Sequence, residues 1–382
     1  MKNIFVVAAR RTPQGRLLGG LAKRSAVDLA MEAARPILKT VAADDIDQVI
    51  LGNVLSAGQG MNIARQVGLG LGLPLEKHAY TVNMMCASGM QAVILAAQTI
   101  LAGEADAILC GGAESMSNAP FLLDRARSGY KLGNAVLLDS ILRDGLTDTF
   151  SGKHMGLTTE ALAEQCGIGR EAQDAFALLS QQKYAAAHAR GAFDDEIVPV
   201  DDLKQDEHPR PDVTMEKLAT MKPAFKPGGT ITAGNASGIN DGAAMLAVCG
   251  ETALRRSKWS PMARISGWCN VGCEPAMMGL GPVYASRKLC GNSGVNMKDF
   301  DVIEINEAFA AQALACIKTL ELDVGRVNPD GGAIALGHPI GASGARLLVH
   351  LARRIGRGEI RKALATLCVG GGMGSAVMLE SA

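Results

Sequence analysis

Four side chains combine reactive chemistry with a place at the end of a strand or the start of a helix: Cys86, Asn306, His338 and Cys368. Cys86 lies in NMMCASGM, between an apolar, strand-like run and a long helical pattern. The backbone amides and dipole of a helix N-terminus stabilise a thiolate, so we expect the pKa of Cys86 to fall below the free value of about 8.5. Free cysteines are also common as small buried hydrophobes, so Cys86 alone supports two interpretations, a nucleophile and a core residue.

The other three candidates lie where a ligand could reach them. His338 is in IALGHPIGASG, which holds more glycine than a core histidine needs. Cys368 ends a strand in ATLCVGGGMG, where backbone amides are free to face a ligand. Asn306, in EINEAFA, ends another strand, where its amide could hold a water molecule or an oxyanion.

Several other kinds of site are excluded by the sequence. CVGGGMG precedes a strand-like run instead of a helix and has no acidic residue about twenty positions later, which argues against a dinucleotide site. Cys269 and Cys273 form the only close cysteine pair, without a Cys-x-x-Cys motif or a histidine set, so we expect no metal. Because 38 basic residues balance 38 acidic residues, we expect neither nucleic acid nor an anionic membrane surface as a partner.

The sequence predicts a cytoplasmic location. Nine cysteines, an odd number scattered through 382 residues, favour free thiols in a reducing compartment. The apolar run at residues 4–9 is too short for the hydrophobic part of a signal peptide. We also expect no membrane span, because no apolar run of 18 residues is free of both charges and helix breakers.

Strands and helices alternate along the chain, and the order of features occurs twice, which predicts an α/β fold of two duplicated halves. Residues 44–54 resemble residues 298–308, and each segment leads to a reactive residue before a helix. The helix after Cys86 is apolar on nearly every face and should be buried. The helix after His338 carries Arg346, Arg353 and Arg354, so we expect it to be only partly buried. We expect His208 to be exposed.

The motifs NMMCASGM, AGNASGINDGA, NEAFAAQ, GGAIALGHPIGASGAR and LCVGGGMG occur in the order found in thiolases, and the sequence resembles that family over essentially its whole length. The resemblance implies a thiolase-like five-layer αβαβα fold. It implies an N-terminal half at residues 1–258, with a loop domain inserted at about 118–247, and a C-terminal half at residues 259–382.

The resemblance also implies catalytic roles. Cys86 would attack an acyl thioester and carry the acyl group, with His338 taking the thiol proton. Cys368 would remove or return the α-proton of acetyl-CoA. His338 and a water molecule on Asn306 would hold the enolate oxygen, and the backbone amides of Cys86 and Gly370 would form a second oxyanion hole. Covalent capture of the acyl group would make the reaction ping-pong.

By the same resemblance, seven further residues would bind substrate. Ser237 would contact the pantetheine arm, Phe225 and Phe309 would line its tunnel, and Arg210 would lie near the CoA nucleotide. An acyl pocket closed by His154, Met155 and Met278 would suit short chains.

The implied activity is that of an acetyl-CoA C-acetyltransferase, the reversible Claisen condensation of two acetyl-CoA to acetoacetyl-CoA and CoA. The alternative is a degradative 3-ketoacyl-CoA thiolase of broader chain length. Acetyl-CoA, acetoacetyl-CoA and CoA would be substrates, without a separate cofactor, and residues 118–133 suggest a homo-oligomer, a dimer or tetramer. Two other classes of protein fit the sequence less well. A ketosynthase would lack a cysteine at the position of Cys368, and a catalytically silent CoA-binding protein would have lost one of the reacting residues.

Overall fold

Strands and helices alternate along residues 3–382, the part of the chain that the computed structural model describes. The strands are β1 Ile4–Arg11, β2 Gly15–Arg16, β3 Gln48–Gly52, β4 His78–Val82, β5 Ala107–Ser115, β6 Phe121–Leu122, β7 Leu138–Asp139, β8 Asn240–Gly250, β9 Ala263–Gly272, β10 Val302–Ile305, β11 Lys362–Val369 and β12 Met373–Glu380. The helices are α1 Ala26–Ala34, α2 Ile63–Gly70, α3 Ser88–Ala102, α4 Met155–Cys166, α5 Arg170–Ala189, α6 Met215–Ala219, α7 Glu251–Ser257, α8 Gly281–Ser293, α9 Ala310–Leu320, α10 Ala333–Leu336 and α11 Ile340–Gly356.

The order of strands in the main sheet is symmetrical about its centre. It runs β10-β11-β12-β9-β1-β8-β5-β3-β4, and β1 meets β9 through a short antiparallel pairing. Outward from that pairing, β8, β5 and β3 on one side correspond to β12, β11 and β10 on the other. The predicted duplication is therefore visible in the topology.

Two aspartates mark the repeat at atomic detail. The carboxylate of Asp47, just before β3, accepts hydrogen bonds of 2.8 and 3.1 Å from backbone N–H groups at the start of β5. The carboxylate of Asp301, just before β10, accepts hydrogen bonds of 2.7 and 3.0 Å from backbone N–H groups at the start of β11. Each half therefore uses an aspartate before one strand to bind the backbone at the start of the neighbouring strand.

Five layers result from the packing of helices on the two half-sheets. α3 and α11 lie between the halves and share one apolar core with strands of both. α1 and α2 cover the outer face of the first half, and α8 and α9 cover the outer face of the second. The predicted five-layer αβαβα thiolase-like fold is confirmed.

The central position of α3 and α11 confirms one expectation and corrects another. Residues 85–102 have the length and hydropathy of a membrane span, but most of this segment is buried within the protein as a core helix. α11 is buried along nearly its whole length, so the expectation of partial exposure is wrong. Arg346 is only 3% exposed, because Glu304 on β10 lies 3.4 Å from its guanidinium and offsets part of the cost of burying it.

The inserted segment contains α4, α5 and α6 and ends earlier than expected. β8 lies between β1 and β5 in the main sheet, so the sheet resumes at Asn240 and the insertion cannot extend to residue 247. His208, within the insertion, is buried at 7% exposure instead of exposed, because its ring packs against the backbone of Gly238.

A buried ionic network attaches this insertion to the core. The guanidinium of Arg11 on β1 contacts Glu196 at 2.7 Å and Asp206 at 2.6 Å, and both carboxylates belong to the insertion. Glu196 also contacts Nδ1 of His350 on α11 at 2.9 Å, and Nε2 of His350 contacts Asp330 at 2.9 Å. Although burial opposes it, the two carboxylates raise the pKa of His350 to about 9.

This network predicts a loss of stability at alkaline pH. The imidazolium of His350 stabilises the folded state fully below pH 6.5, and this contribution disappears as the pH rises through about 9. The shift corresponds to a contribution on the order of 3 kcal/mol. We expect urea titrations of His350→Gln to give a lower free energy of unfolding than wild type at pH 7, with the difference shrinking towards pH 9.5. A difference that is constant across this range would contradict the assignment.

Candidate active site

A cavity of about 250 Å³ lies where the N-terminal ends of α3 and α11 meet the insertion. Ten of the twelve residues singled out in the sequence line it: Cys86, His154, Met155, Phe225, Ser237, Met278, Phe309, His338, Cys368 and Gly370. They come from both halves and from the insertion, so the fold brings together residues that are far apart in the chain.

A strained turn presents Cys86 to the cavity. Met85 has a φ of 48°, a left-handed conformation that costs a residue with a side chain about 1–3 kcal/mol. The Ser88 hydroxyl closes the turn, accepting from the Met84 N–H at 2.9 Å and donating to the Met85 carbonyl at 2.6 Å. A Cβ on Gly52 would lie 2.2 Å from the Ser88 backbone, so glycine is required where α3 begins against β3.

The electrostatics of Cys86 differ from the sequence prediction. Burial raises the pKa of the Cys86 thiol to about 11, although the backbone N–H groups of Gly370 and of Cys86 itself donate towards the sulfur. The predicted lowering of this pKa is therefore wrong for the resting site, because desolvation outweighs the helix N-terminus. Cys86 therefore rests as a neutral thiol.

The ring of His338 is held so that one of its nitrogens is free to accept a proton. Its Nδ1 lies 2.5 Å from the Ser343 hydroxyl, and this hydroxyl donates to the Pro339 carbonyl at 2.9 Å. With the hydroxyl proton committed to the carbonyl, Nδ1–H is the donor to Ser343 and Nε2 keeps a free lone pair. Nε2 has no hydrogen-bond partner within residues 3–382. Burial, assisted by the nearby charge of Arg346, lowers the pKa of His338 to about 4, so the imidazole is neutral.

The backbone before His338 is fixed by β8. The His338 N–H donates to the Asn240 side-chain carbonyl at 3.0 Å, and the Asn240 amide donates to the Gly15 carbonyl at 2.8 Å. Gly337 has a φ of 102°, and a Cβ there would lie 2.4 Å from the Asn240 side chain. The glycine beside His338 is therefore required by both conformation and space.

Cys368 is the next-to-last residue of β11, lines the cavity and is 3% exposed. Burial raises the pKa of its thiol well above the ordinary value, and the nearby thiol of Cys86 raises it further. Because like charges at close range disfavour each other, the two thiols resist being ionised together. They are suited to act one after the other.

Aromatic and methionine side chains form the apolar wall. The rings of His154 and Phe225 stack at 4.7 Å between centroids, and Phe309 packs edge-on against Phe225 at 6.0 Å. The sulfur of Met155 would lie 3.2 Å from a Cβ on Gly370, so the thioether covers the glycine loop directly.

Two predicted residues lie outside the cavity lining. Asn306 follows β10 and is fully buried, and neither its side-chain oxygen nor its nitrogen has a hydrogen-bond partner within residues 3–382. Arg210 lies in the insertion, where its backbone N–H donates to the Gln181 side chain at 2.9 Å. Neither residue therefore lines the cavity, although the Asn306 amide keeps its hydrogen-bonding capacity among the described residues.

Sequence reasoning missed the two residues that orient His338, namely Ser343 and Asn240. Ser343 lies five residues after His338, in the first turn of α11, a spacing that could have indicated a contact with its ring. Asn240 is nearly a hundred residues away, and only the packing of β8 reveals its role.

Comparisons with known proteins agree with this geometry. Residues 4–252 match the thiolase N-terminal domain and residues 259–381 match the thiolase C-terminal domain. The chain is 49% identical to an acetyl-CoA acetyltransferase of Chromobacterium violaceum, with 99% of each chain covered, and 49% identical to one of Escherichia coli K12, with 100% and 99% covered. The structure of human mitochondrial 3-ketoacyl-CoA thiolase in complex with CoA superposes with a TM-score of 0.98 at 43% identity, covering 100% of this chain and 98% of that chain. The chain belongs to the thiolase family.

Proposed function

We propose that the protein is an acetyl-CoA C-acetyltransferase that interconverts two acetyl-CoA with acetoacetyl-CoA and CoA. The observation that carries this proposal is the convergence of the Cys86 thiol, the free Nε2 of His338 and the Cys368 thiol on one cavity. The acetyl-CoA acetyltransferases among the relatives support the same substrate class.

In the first half-reaction, Nε2 of His338 takes the proton of Cys86 as the sulfur attacks the thioester carbonyl. The tetrahedral intermediate carries a negatively charged oxygen. The backbone N–H groups of Cys86 and Gly370, which point towards the Cys86 sulfur, would donate hydrogen bonds to this oxygen. One such donor is typically worth about 10²- to 10³-fold in rate. The imidazolium then protonates the departing CoA sulfur, and an acyl-Cys86 remains.

In the second half-reaction, the Cys368 thiol gives its proton to the free Nε2 of His338, and the resulting thiolate removes the α-proton of a second acetyl-CoA. The enolate oxygen accepts from the Nε2–H of the imidazolium. The enolate then attacks the acyl carbon on Cys86, the Cys86 sulfur leaves as a thiolate, and the imidazolium returns a proton to it, so that Cys368 and Cys86 end as thiols and His338 is neutral. The unpartnered amide of Asn306 would hold a water molecule as the second donor.

Cavity size favours short acyl groups over the broader-chain alternative. The space of about 250 Å³ must also accept the end of the pantetheine arm, and Met155 and Met278 occupy its wall. A 3-ketoacyl-CoA thiolase of broader range stays the second candidate, because a relative of that name has the same fold at 43% identity. Both activities belong to acyl-CoA and fatty acid metabolism.

Replacing Cys86 tests the mechanism. We expect Cys86→Ala and Cys86→Ser to abolish thiolysis of acetoacetyl-CoA, because neither side chain supplies a sulfur nucleophile, while the melting temperature stays close to wild type. Cys166→Ala is the matched control, since Cys166 lies at the end of α4 outside the cavity lining. Mass spectrometry after incubation with acetyl-CoA should find the acetyl group on residue 86 in wild type only. Thiolysis by Cys86→Ala at the wild-type rate would refute the mechanism.

Chain-length preference distinguishes the two candidate activities. We expect kcat/KM for thiolysis to fall at least tenfold from acetoacetyl-CoA to 3-ketooctanoyl-CoA. Met278→Ala should reduce this difference because the smaller side chain leaves more space for the acyl chain. Met297→Ala should not reduce it, because Met297 lies outside the cavity lining. Equal values for the two substrates in wild type would favour the broader-chain thiolase.

A homotetramer in the cytoplasm is proposed as the working form. The segment around the β6–β7 hairpin exposes apolar side chains, with Leu132 at 98%, Val136 at 67% and Phe121 at 62% exposure, more than an isolated chain is expected to leave in water. The nine free thiols suit a reducing compartment.

Light scattering after size exclusion tests the assembly. We expect wild type to elute as a tetramer of the 39.8 kDa chain and Leu132→Lys to elute as a smaller species, because the charge cannot be buried in a contact. Lys131→Ala, next to it on the same segment, should leave the mass unchanged. A wild-type monomer would contradict the proposal.

A further inference from the structure

Glu114 is a buried carboxylate that the mechanism above does not use. It lies near the end of β5, is 0% exposed and accepts four hydrogen bonds. Oε1 accepts from the Asn53 side chain at 2.8 Å and from the Leu55 N–H at 3.1 Å. Oε2 accepts from the Val54 N–H at 3.0 Å and from the Gly341 N–H at 2.9 Å.

These four donors belong to different halves of the molecule. Three follow β3 in the first half, which also carries Cys86, whereas Gly341 is in the first turn of α11, three residues after His338. A single carboxylate thus connects the half that holds the nucleophile to the helix that holds the base.

The carboxylate acts at a contact that has no side chains of its own. The carbonyl oxygen of Gly341 lies 2.1 Å from where a Cβ on Gly112 of β5 would be, and 2.8 Å from where a Cβ on Gly89 of α3 would be. Gly89 is three residues after Cys86. Because glycine backbones provide few interlocking side chains at this point, the hydrogen bonds of Glu114 add to the apolar packing in fixing how the first turn of α11 sits against α3 and β5.

We infer that Glu114 is a positioning residue, which sets the separation and orientation of His338 relative to Cys86 by holding the first turn of α11 to the first half. This inference rests on the proposed function, in which Nε2 of His338 receives the Cys86 proton. Glu114 does not line the cavity and touches no substrate, so its effect on the reaction would act through the position of His338.

The chemistry of the four partners calls for a carboxylate. All four are donors, and an ionised carboxylate is the side chain that only accepts. Its charge also faces the N-terminus of α11, where a negative group is stabilised by the helix dipole. Burial raises the pKa of Glu114 to about 7, and the backbone donors counteract this effect of burial. A glutamine would keep one acceptor oxygen and turn its amide protons towards the remaining donors.

Glu114→Gln tests the inference against a matched control. We expect kcat for thiolysis of acetoacetyl-CoA to fall about 10- to 100-fold, because small misplacement of a catalytic pair has effects of this size, with KM within about threefold of wild type. Asp47→Asn is the control, because Asp47 accepts two backbone N–H groups from the other end of β5. It should lower the melting temperature while kcat stays within about twofold of wild type. Equal losses of kcat in both variants would overturn the inference.

Crystal structures of wild type and Glu114→Gln give a readout that does not depend on turnover. We expect the first turn of α11 to move away from β5 and the distance between His338 Nε2 and Cys86 Sγ to increase. An unchanged distance would overturn the inference even if kcat fell. A wild type without thiolysis would refute the proposed function, and this distance would still test Glu114. If Glu114→Gln does not fold, Glu114→Asp replaces it as the test, because aspartate keeps the charge but is too short to reach the donors of both halves. A kcat of Glu114→Asp equal to that of wild type would then overturn the inference.

Discussion

The structure depends on one close contact, in which the first turns of α3 and α11 meet against β5 with almost no side chains between them. A Cβ on Gly112 would lie 2.1 Å from the Gly341 carbonyl, and a Cβ on Gly344 would lie 2.7 Å from Met90. Because side chains are excluded there, the two helices approach closely enough for the residues just before them, Cys86 and His338, to face one cavity. Duplication provides the two equivalent helices, and the glycines allow their N-termini to pack against each other beside the cavity.

Burial at this contact determines how the site handles charge. It raises the pKa of both cysteine thiols and lowers that of His338, so all three reacting groups are neutral at rest. In the proposed mechanism, charge arises as a proton moves from sulfur to imidazole within this buried site. Fixed donors such as the Gly370 N–H are already oriented there, so little reorganisation accompanies the appearance of the charge.

The sequence predicts what depends on local pattern and repetition. The duplicated halves, the buried helix after Cys86 and three of the ten cavity residues follow from local pattern and position, whereas the other seven are implied by the resemblance to thiolases. The pKa of Cys86 could not be predicted, because a helix N-terminus is local whereas desolvation is contributed by the whole fold. The burial of Arg346 and the contact of Asn240 with His338 also escaped prediction, since each depends on a partner distant in the chain. The end of the insertion was misplaced because β8 begins with the polar and small residues NDGAA, which do not have the apolar pattern of a strand.

The two ends of α11 show why so polar a helix can lie at the centre of the protein. Its N-terminal end meets the cavity and carries neutral His338, while Arg353 and Arg354 lie in its last turn, with His350 one turn earlier. His350 lies about 15 Å along α11 from its first residue, Ile340, at a rise of about 1.5 Å per residue. Its carboxylate partners come from the insertion and from the loop before α10, so the positive charge complements the negative end of the helix dipole and is satisfied far from the thiols. The ionic network therefore anchors the helix, and Arg346, between the two ends, adds a positive charge that favours neutral His338 without contacting the cavity.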